Sequence, residues 1–155
     1  MLRATAFALT LLSAFSASAH ATGLKATQIV EVATIIVDVD GNETTSYSQA
    51  TEVEPGERVR YSLAYANEGA DEAENVSLVM PVPTVVTYVE GSAHGSVEFS
   101  ADNGRSYAAR EDLMIGTGEY ARLAVSEEIT HIKWAFSDPI APSANGTVSF
   151  EAVLK

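Results

Sequence analysis

The feature that most constrains this chain is an alternation of apolar and polar side chains with a period of two. Between residues 58 and 65, every second side chain is apolar, and the positions between them hold Arg58, Arg60, Ser62 and Ala64. Successive side chains of a β-strand point to opposite faces, so this pattern predicts a strand with one buried and one wetter face. A helix would instead repeat its apolar residues every three or four positions.

Similar segments recur along the chain between turns rich in Gly, Pro and Asn. Residues 76–80, 132–136 and 148–154 also alternate, and residues 27–39 are rich in the β-branched side chains that favour strands. No stretch sustains a helical period, and Asn103-Gly104 predicts a two-residue hairpin turn. Eight or nine short strands predict an all-β antiparallel sandwich. Its predicted core comprises Val59, Tyr61, Leu63, Tyr65, Val76, Leu78, Ile132, Trp134, Phe136, Val148 and Phe150.

Residues 1–21 have the layout of a secretory signal peptide. Arg3 gives a basic start, and residues 4–15 form an apolar run that is too short to span a bilayer of about 30 Å as a helix. Cleavage sites of the form Ala-x-Ala end at Ala19 and at Ala21, and the second is preferred. We therefore predict a helical signal peptide over residues 1–21 and one domain over 22–155. The mature chain would lie in the periplasm or at the cell surface, with no membrane span.

The charge balance and the lack of cysteine exclude several classes of function. The chain carries 21 acidic and 9 basic side chains, a formal net charge of −12 at pH 7. It offers no basic stripe for nucleic-acid phosphates or anionic lipid heads. Without cysteine there is no disulfide framework, no thiolate nucleophile and no Cys-based metal site. An apolar fraction of 46% excludes general disorder.

Several short motifs resemble the DUF11 family in their order and spacing. The resemblance covers roughly residues 50–155. It rests on a Pro-Gly turn followed by an alternating strand, an Asn-x-Gly corner, an Ala-x-Asn-Val strand start, a Pro-rich stop with a Tyr-Val-x-Gly-Ser stretch, and a last Pro turn with its strand. In this sequence these are residues 53–63, 67–69, 73–76, 81–92 and 142–150.

The resemblance implies a fold and a location but no chemistry. DUF11 domains are secreted or surface-exposed bacterial domains, often repeated in large surface proteins, with an immunoglobulin-like sandwich fold. The resemblance therefore implies an immunoglobulin-like sandwich of Greek-key type in the cell envelope, with no cofactor and no catalytic residue to carry over. The single copy in this chain leaves the stalk or adhesin role of long arrays without support.

One candidate metal site lies in the turn predicted between the first two strands. Asp38, Asp40 and Asn42 match the first three ligands of a calcium loop, D-x-D-x-N, but the sixth and twelfth positions lack the required Gly and Glu. The pattern therefore favours a hairpin turn over a calcium site. The acidic corner over residues 68–74 is likewise interpreted as a solvated loop rather than a weak calcium site.

The sequence contains no catalytic motif. His20, His94 and His131 lack metal-site spacing, and neither a G-x-S-x-G elbow nor a phosphate-binding loop is present. We therefore predict a non-enzymatic structural or interaction module of the bacterial envelope, which meets an envelope protein through sheet edges or loops. Two alternatives stay open: a calcium-dependent adhesion module and an envelope hydrolase with an unrecognised site.

Overall fold

The computed structural model describes residues 16–18 and 23–155, and its regular structure is β-strand apart from three short 3-10 turns. The all-β prediction is thus confirmed for this part of the chain. The strands are β1 (Ser16–Ser18), β2 (Leu24–Val37), β3 (Glu43–Gln49), β4 (Arg58–Asn67), β5 (Ser77–Pro81), β6 (Val86–Tyr88), β7 (Val97–Ser100), β8 (Met114–Ile115), β9 (Arg122–Leu123), β10 (His131–Ala135) and β11 (Asn145–Leu154). The 3-10 turns are Arg110–Asp112, Gly118–Tyr120 and Ser126–Glu128.

Two antiparallel sheets make up most of the fold. The five-stranded sheet has the order β3-β2-β4-β11-β6, the four-stranded sheet has the order β1-β5-β10-β7, and β8 and β9 form a small separate ladder. Every strand pairing is antiparallel. The chain changes from one sheet to the other five times: between β1 and β2, between β4 and β5, between β5 and β6, between β6 and β7, and between β10 and β11.

One hydrophobic cluster takes its side chains from both sheets, and we call the sheets with this cluster the body. Eight of the eleven predicted core residues are buried there: Val59, Tyr61, Leu63, Val76, Leu78, Ile132, Trp134 and Phe150. Inside it, the Tyr61 and Phe150 rings stack with centroids 5.1 Å apart. Alternation therefore identified which face of each strand is buried.

Tyr65, Phe136 and Val148 are only half-buried, which corrects their prediction as core residues. Tyr65 and Phe136 meet edge to face, with ring centroids 5.1 Å apart. Phe136 and Val148 line a cavity that is open to solvent. These three side chains cover one end of the core instead of filling its centre, a distinction that periodicity cannot make.

A buried asparagine holds the corner where the chain leaves β4. The Asn67 side-chain amide donates to the carbonyl oxygens of Asp71 (2.9 Å) and Ile140 (2.8 Å), and its oxygen accepts from the backbone N–H of Gly69 (3.0 Å). The backbone of Asn67 also bonds to Ala144 and Ser143. Asn67 is 1% exposed, so these bonds satisfy polar groups that water cannot reach.

The loop after β7 differs from the predicted two-residue hairpin. Asn103 and Gly104 both have positive φ, as such a turn requires, but the strand pairing closes farther out, between Phe99 and Ala108. The Asp102 carboxylate accounts for the longer loop, because it accepts hydrogen bonds from Ser100, Arg105 and Ser106. These bonds hold the pKa of Asp102 well below its ordinary value.

The predicted signal peptide falls mostly outside the described residues, which omit 1–15 and 19–22. Its helix and its cleavage site therefore remain predictions. Ser16–Ser18, near its end, form strand β1 and pair antiparallel with residues 77–79 of β5, which corrects the predicted helix over these three residues. Within the described ranges, no helix has the length and apolar character needed to cross a membrane.

Candidate functional site: a projecting hairpin

Strand β2 is longer than its neighbour in the body. Its residues 24–32 pair with β4, whereas residues 33–37 extend past the first residues of β4 and pair only with β3. Residues 33–37, the turn at 38–42 and residues 43–47 therefore form a two-stranded ribbon that continues beyond the main sheet. We call residues 33–47 the arm, and from here on the body means the two sheets without the arm.

The arm exposes large apolar side chains. Ile35, Ile36 and Val37 are 63%, 54% and 59% exposed, and Val39 at the tip is fully exposed. Their alternation places Ile35 and Val37 on one face of the ribbon and Ile36 on the other. A two-stranded ribbon on its own is only marginally stable in water, and large apolar side chains exposed together are typical of an interaction surface.

The predicted hairpin turn is confirmed, and the candidate calcium ligands build it. The Asp38 carboxylate accepts three hydrogen bonds of 2.9 Å, from the backbone N–H groups of Asp40 and Asn42 and from the Asn42 side-chain amide. These bonds lower the pKa of Asp38, because they favour its charged form. Over residues 16–18 and 23–155, no three His, Asp or Glu side chains are grouped to hold a metal ion.

The base of the arm is tied to the outer face of the five-stranded sheet. The Arg60 guanidinium lies 3.5 Å from the centre of the Tyr47 ring and pairs with Glu31 at 2.7 Å. The Tyr47 hydroxyl donates to Glu151, which raises the pKa of Tyr47, and Arg58 pairs with the same carboxylate at 3.0 Å. The cluster therefore connects four neighbouring strands. In the sequence, its only sign is the two arginines on the wetter face of β4.

Two of the open cavities that are lined by described residues lie on the body. The first, about 250 Å³, is lined by His94, Ser96, Trp134, Ser137 and Asp138 among others. It brings together the residue types of a hydrolase, but its only hydrogen bond between polar side chains joins Ser137 to Asp138 at 3.4 Å. Because no serine is hydrogen-bonded to the exposed His94 ring in the described part of the chain, the cavity lacks an assembled nucleophile and base.

The second cavity, about 290 Å³, is bordered by an ion pair. Arg110 binds both carboxylate oxygens of Glu90, and the Ser126 hydroxyl donates to the same group at 2.7 Å. These partners lower the pKa of Glu90, because they stabilise its charged form. The side chains of Glu90 and Arg110 thereby bind each other, and the pair fixes the loops around the cavity.

The chain matches no family model, no curated protein and no solved structure. The DUF11 resemblance therefore stays an expectation drawn from its motifs. Among the surfaces described above, the arm combines projection, apolar exposure and an anchored base, which makes it the best candidate for a functional contact.

Proposed function

We propose that this protein is a non-enzymatic, secreted interaction module of the bacterial cell envelope, and that the arm is its contact surface. The observation that carries the proposal is the exposure of Ile35, Ile36, Val37 and Val39 on a ribbon outside the body. Burying such side chains against a partner removes apolar area from water, at about 25 cal/mol for each Å². The base of the arm, held by Tyr47 and Arg60, provides a fixed support for that contact.

An immunoglobulin-like, Greek-key fold is part of the proposal. It is supported by the strand order, because β4 lies beside β11 in one sheet and β5 lies beside β10 in the other. A return connection that places a late strand beside an early one is typical of a Greek key. Secretion is supported by the layout of residues 1–21.

Site-specific photo-crosslinking in intact host cells tests the contact surface. A photoreactive amino acid replaces Ile35 on the arm, and a matched control places it at Val85, which is 45% exposed on the body. We expect a crosslinked protein product from position 35 and none from position 85. The absence of a product at position 35, or equal products at both, would contradict the proposal.

N-terminal sequencing of the protein recovered from the same cells tests the export step. We expect the chain to begin at Thr22, or at His20 if the first site is used. An uncleaved chain in the cytoplasmic fraction would remove the envelope from the proposal.

A further inference from the structure

Strand β3 forms an unusually bare sheet edge. It is the outermost strand of the five-stranded sheet, and no strand lies on its other side in the described residues. Soluble proteins protect such edges with lysine, proline or a bulge, because an open edge pairs readily with another strand. The seven residues of β3 include no lysine or proline, and their pairing with β2 is free of bulges.

The hydrogen bonds between β2 and β3 show which backbone groups of β3 face the open edge. Asp38 N–H donates to the Asn42 carbonyl, and Ala50 N–H donates to the Val30 carbonyl. In an antiparallel ladder, residues that face the partner strand alternate with residues that face away. Even-numbered residues of β3 therefore face β2, and the N–H and C=O groups that face the open edge belong to Glu43, Thr45, Tyr47 and Gln49.

The sequence of β3 is complementary to itself in one antiparallel register. Centring two copies on Ser46 pairs Glu43 with Gln49 and Thr45 with Tyr47, and all open backbone groups then meet. Four residues of each copy take part, which gives roughly eight hydrogen bonds across the two-fold axis. The only charged side chain of the strand meets an amide in this register, and hydroxyl side chains fill the remaining pairs, which are favourable neighbours.

We propose that a second copy of this chain pairs along β3 in this register, so that the two five-stranded sheets become one continuous sheet. This inference rests on the proposed function and names its partner. The two-fold axis passes between the two copies of Ser46. The contact is therefore isologous, the commonest form of protein dimer.

The register also places each arm beside the other body. The tip of one β3 lies alongside the base of the other, so Ile36 falls in the same row as Ser48 and Val32 of the second copy. Val32 packs against the hydrophobic core, on the inner face of the sheet. The inner face of the arm, which carries Ile36, therefore lies next to the inner face of the second copy's sheet.

Net charge opposes the association. Each chain carries a formal charge of −12, and screening by salt weakens the repulsion between two such chains. The dimer therefore strengthens as salt is added. Since the contact is a pair of short strands, below the usual size of a stable interface, we expect a weak dimer that is populated at high protein concentration.

The lack of cysteine allows a direct test of the register. Ser46→Cys places one thiol on the two-fold axis, where paired Cα atoms lie about 4.5 Å apart, within the range a disulfide spans. Ser48→Cys is the matched control, because its two copies lie about 14 Å apart in this register. We expect mild oxidation to link Ser46→Cys into dimers and to leave Ser48→Cys monomeric. A mixture of Thr44→Cys and Ser48→Cys should link to each other.

Sedimentation of the purified protein tests the edge itself. Thr45→Pro removes an outward N–H, and Thr45→Lys places a charge on the edge, so both should abolish the dimer and leave the circular dichroism unchanged. Equal oxidation of Ser46→Cys and Ser48→Cys, or a dimer that survives in both Thr45 variants, would overturn the inference.

The two proposals fail separately. A crosslink from position 35 to a different protein, with no disulfide at position 46, would leave the contact surface in place and remove the second copy as its partner. A disulfide dimer without any crosslink in cells would show self-pairing and contradict an envelope contact.

Discussion

The two halves of β2 make the same backbone ladder in two different environments. Residues 24–32 pair with β4 along one side, and along the other side they face β3 or solvent. Val30 and Val32 in this half pack against the core. Residues 33–37 have β3 alone, and their isoleucines and valine are exposed. β-branched residues are more frequent in the exposed half, at four of five positions against four of nine, so β-propensity alone does not bury a strand. A strand is buried when a second sheet packs against it, and in the described residues no second sheet packs against the arm.

The largest predicted effect is on the body. Trp134 is 3% exposed, and its indole N–H donates to the His94 carbonyl at 3.1 Å. Trp134→Ala should lower the free energy of unfolding by about 3–5 kcal/mol, because it leaves a cavity in the cluster. Tyr120→Ala, at an exposed position, is the control. An unchanged urea midpoint for Trp134→Ala would show that packing of this side chain does not stabilise the body.

The next effect concerns the corner at Asn67. Asn67→Ala removes the two hydrogen bonds that the side-chain amide donates and leaves the half-buried Gly69 N–H without its acceptor, and such an unmet group costs about 1–3 kcal/mol. We expect that loss in chemical denaturation, compared with less than about 0.5 kcal/mol for the exposed Asn145→Ala. Equal effects of the two substitutions would mean that the corner does not hold the sheets together.

The two halves of β2 can be compared with one residue type. Val30→Thr places a hydroxyl against the core and should cost about 1–2 kcal/mol, whereas Val37→Thr, in the arm, should stay within about 0.5 kcal/mol. Thermal unfolding at low protein concentration measures the difference. If Val37→Thr cost as much as Val30→Thr, the arm would be packed in solution.

A small gain is expected at one site in the body. The Tyr61 hydroxyl is buried without a hydrogen-bond partner among the described residues, and burial raises the pKa of Tyr61 to about 12. Tyr61→Phe keeps the ring stacked on Phe150 and removes the unmet group, so stability should rise by up to about 1 kcal/mol. A loss above that size would indicate a buried water bound to the hydroxyl.

No effect is expected from calcium at the tip of the arm. The Asp38 carboxylate is already occupied by three hydrogen bonds within the turn. The melting temperature should therefore be the same in EDTA and in about 1 mM calcium, a level that fills weak extracellular sites. A rise of many degrees with calcium, and none with magnesium, would instead favour the calcium-dependent adhesion module.

Alternation predicted most of the body, because burial on one face leaves a period of two in the sequence. It identified the buried faces of β4, β5, β10 and β11. The Asn103-Gly104 loop was predicted too short, because the prediction used the Asn-Gly pair alone and the Asp102 side chain closes a longer loop. The half-buried positions of Tyr65, Phe136 and Val148 depend on where the core ends, a property of the packed sheets.

The arm could be predicted only in part. The hairpin turn follows from residues 38–42, and the strands follow from their β-branched residues. The projection depends on β2 being longer than β4 at their shared register, which is set by tertiary pairing. The open backbone groups of β3 depend on the same register. In the sequence, an isoleucine that is exposed in a strand cannot be distinguished from one that is buried in a core.

The place of β11 in the five-stranded sheet has a consequence for folding. β11 pairs with β4 along nine residues, although about eighty residues of chain separate partners such as Leu63 and Val148. Such distant contacts carry a large loop-closure entropy and are typical of slow folders. β2, β3 and β4 are near neighbours in sequence, so we expect these three strands to pair, in the order β3-β2-β4, before β11 joins β4. During that interval the chain has two open edges, and conditions that delay β11 should raise aggregation before they lower the stability of the finished fold.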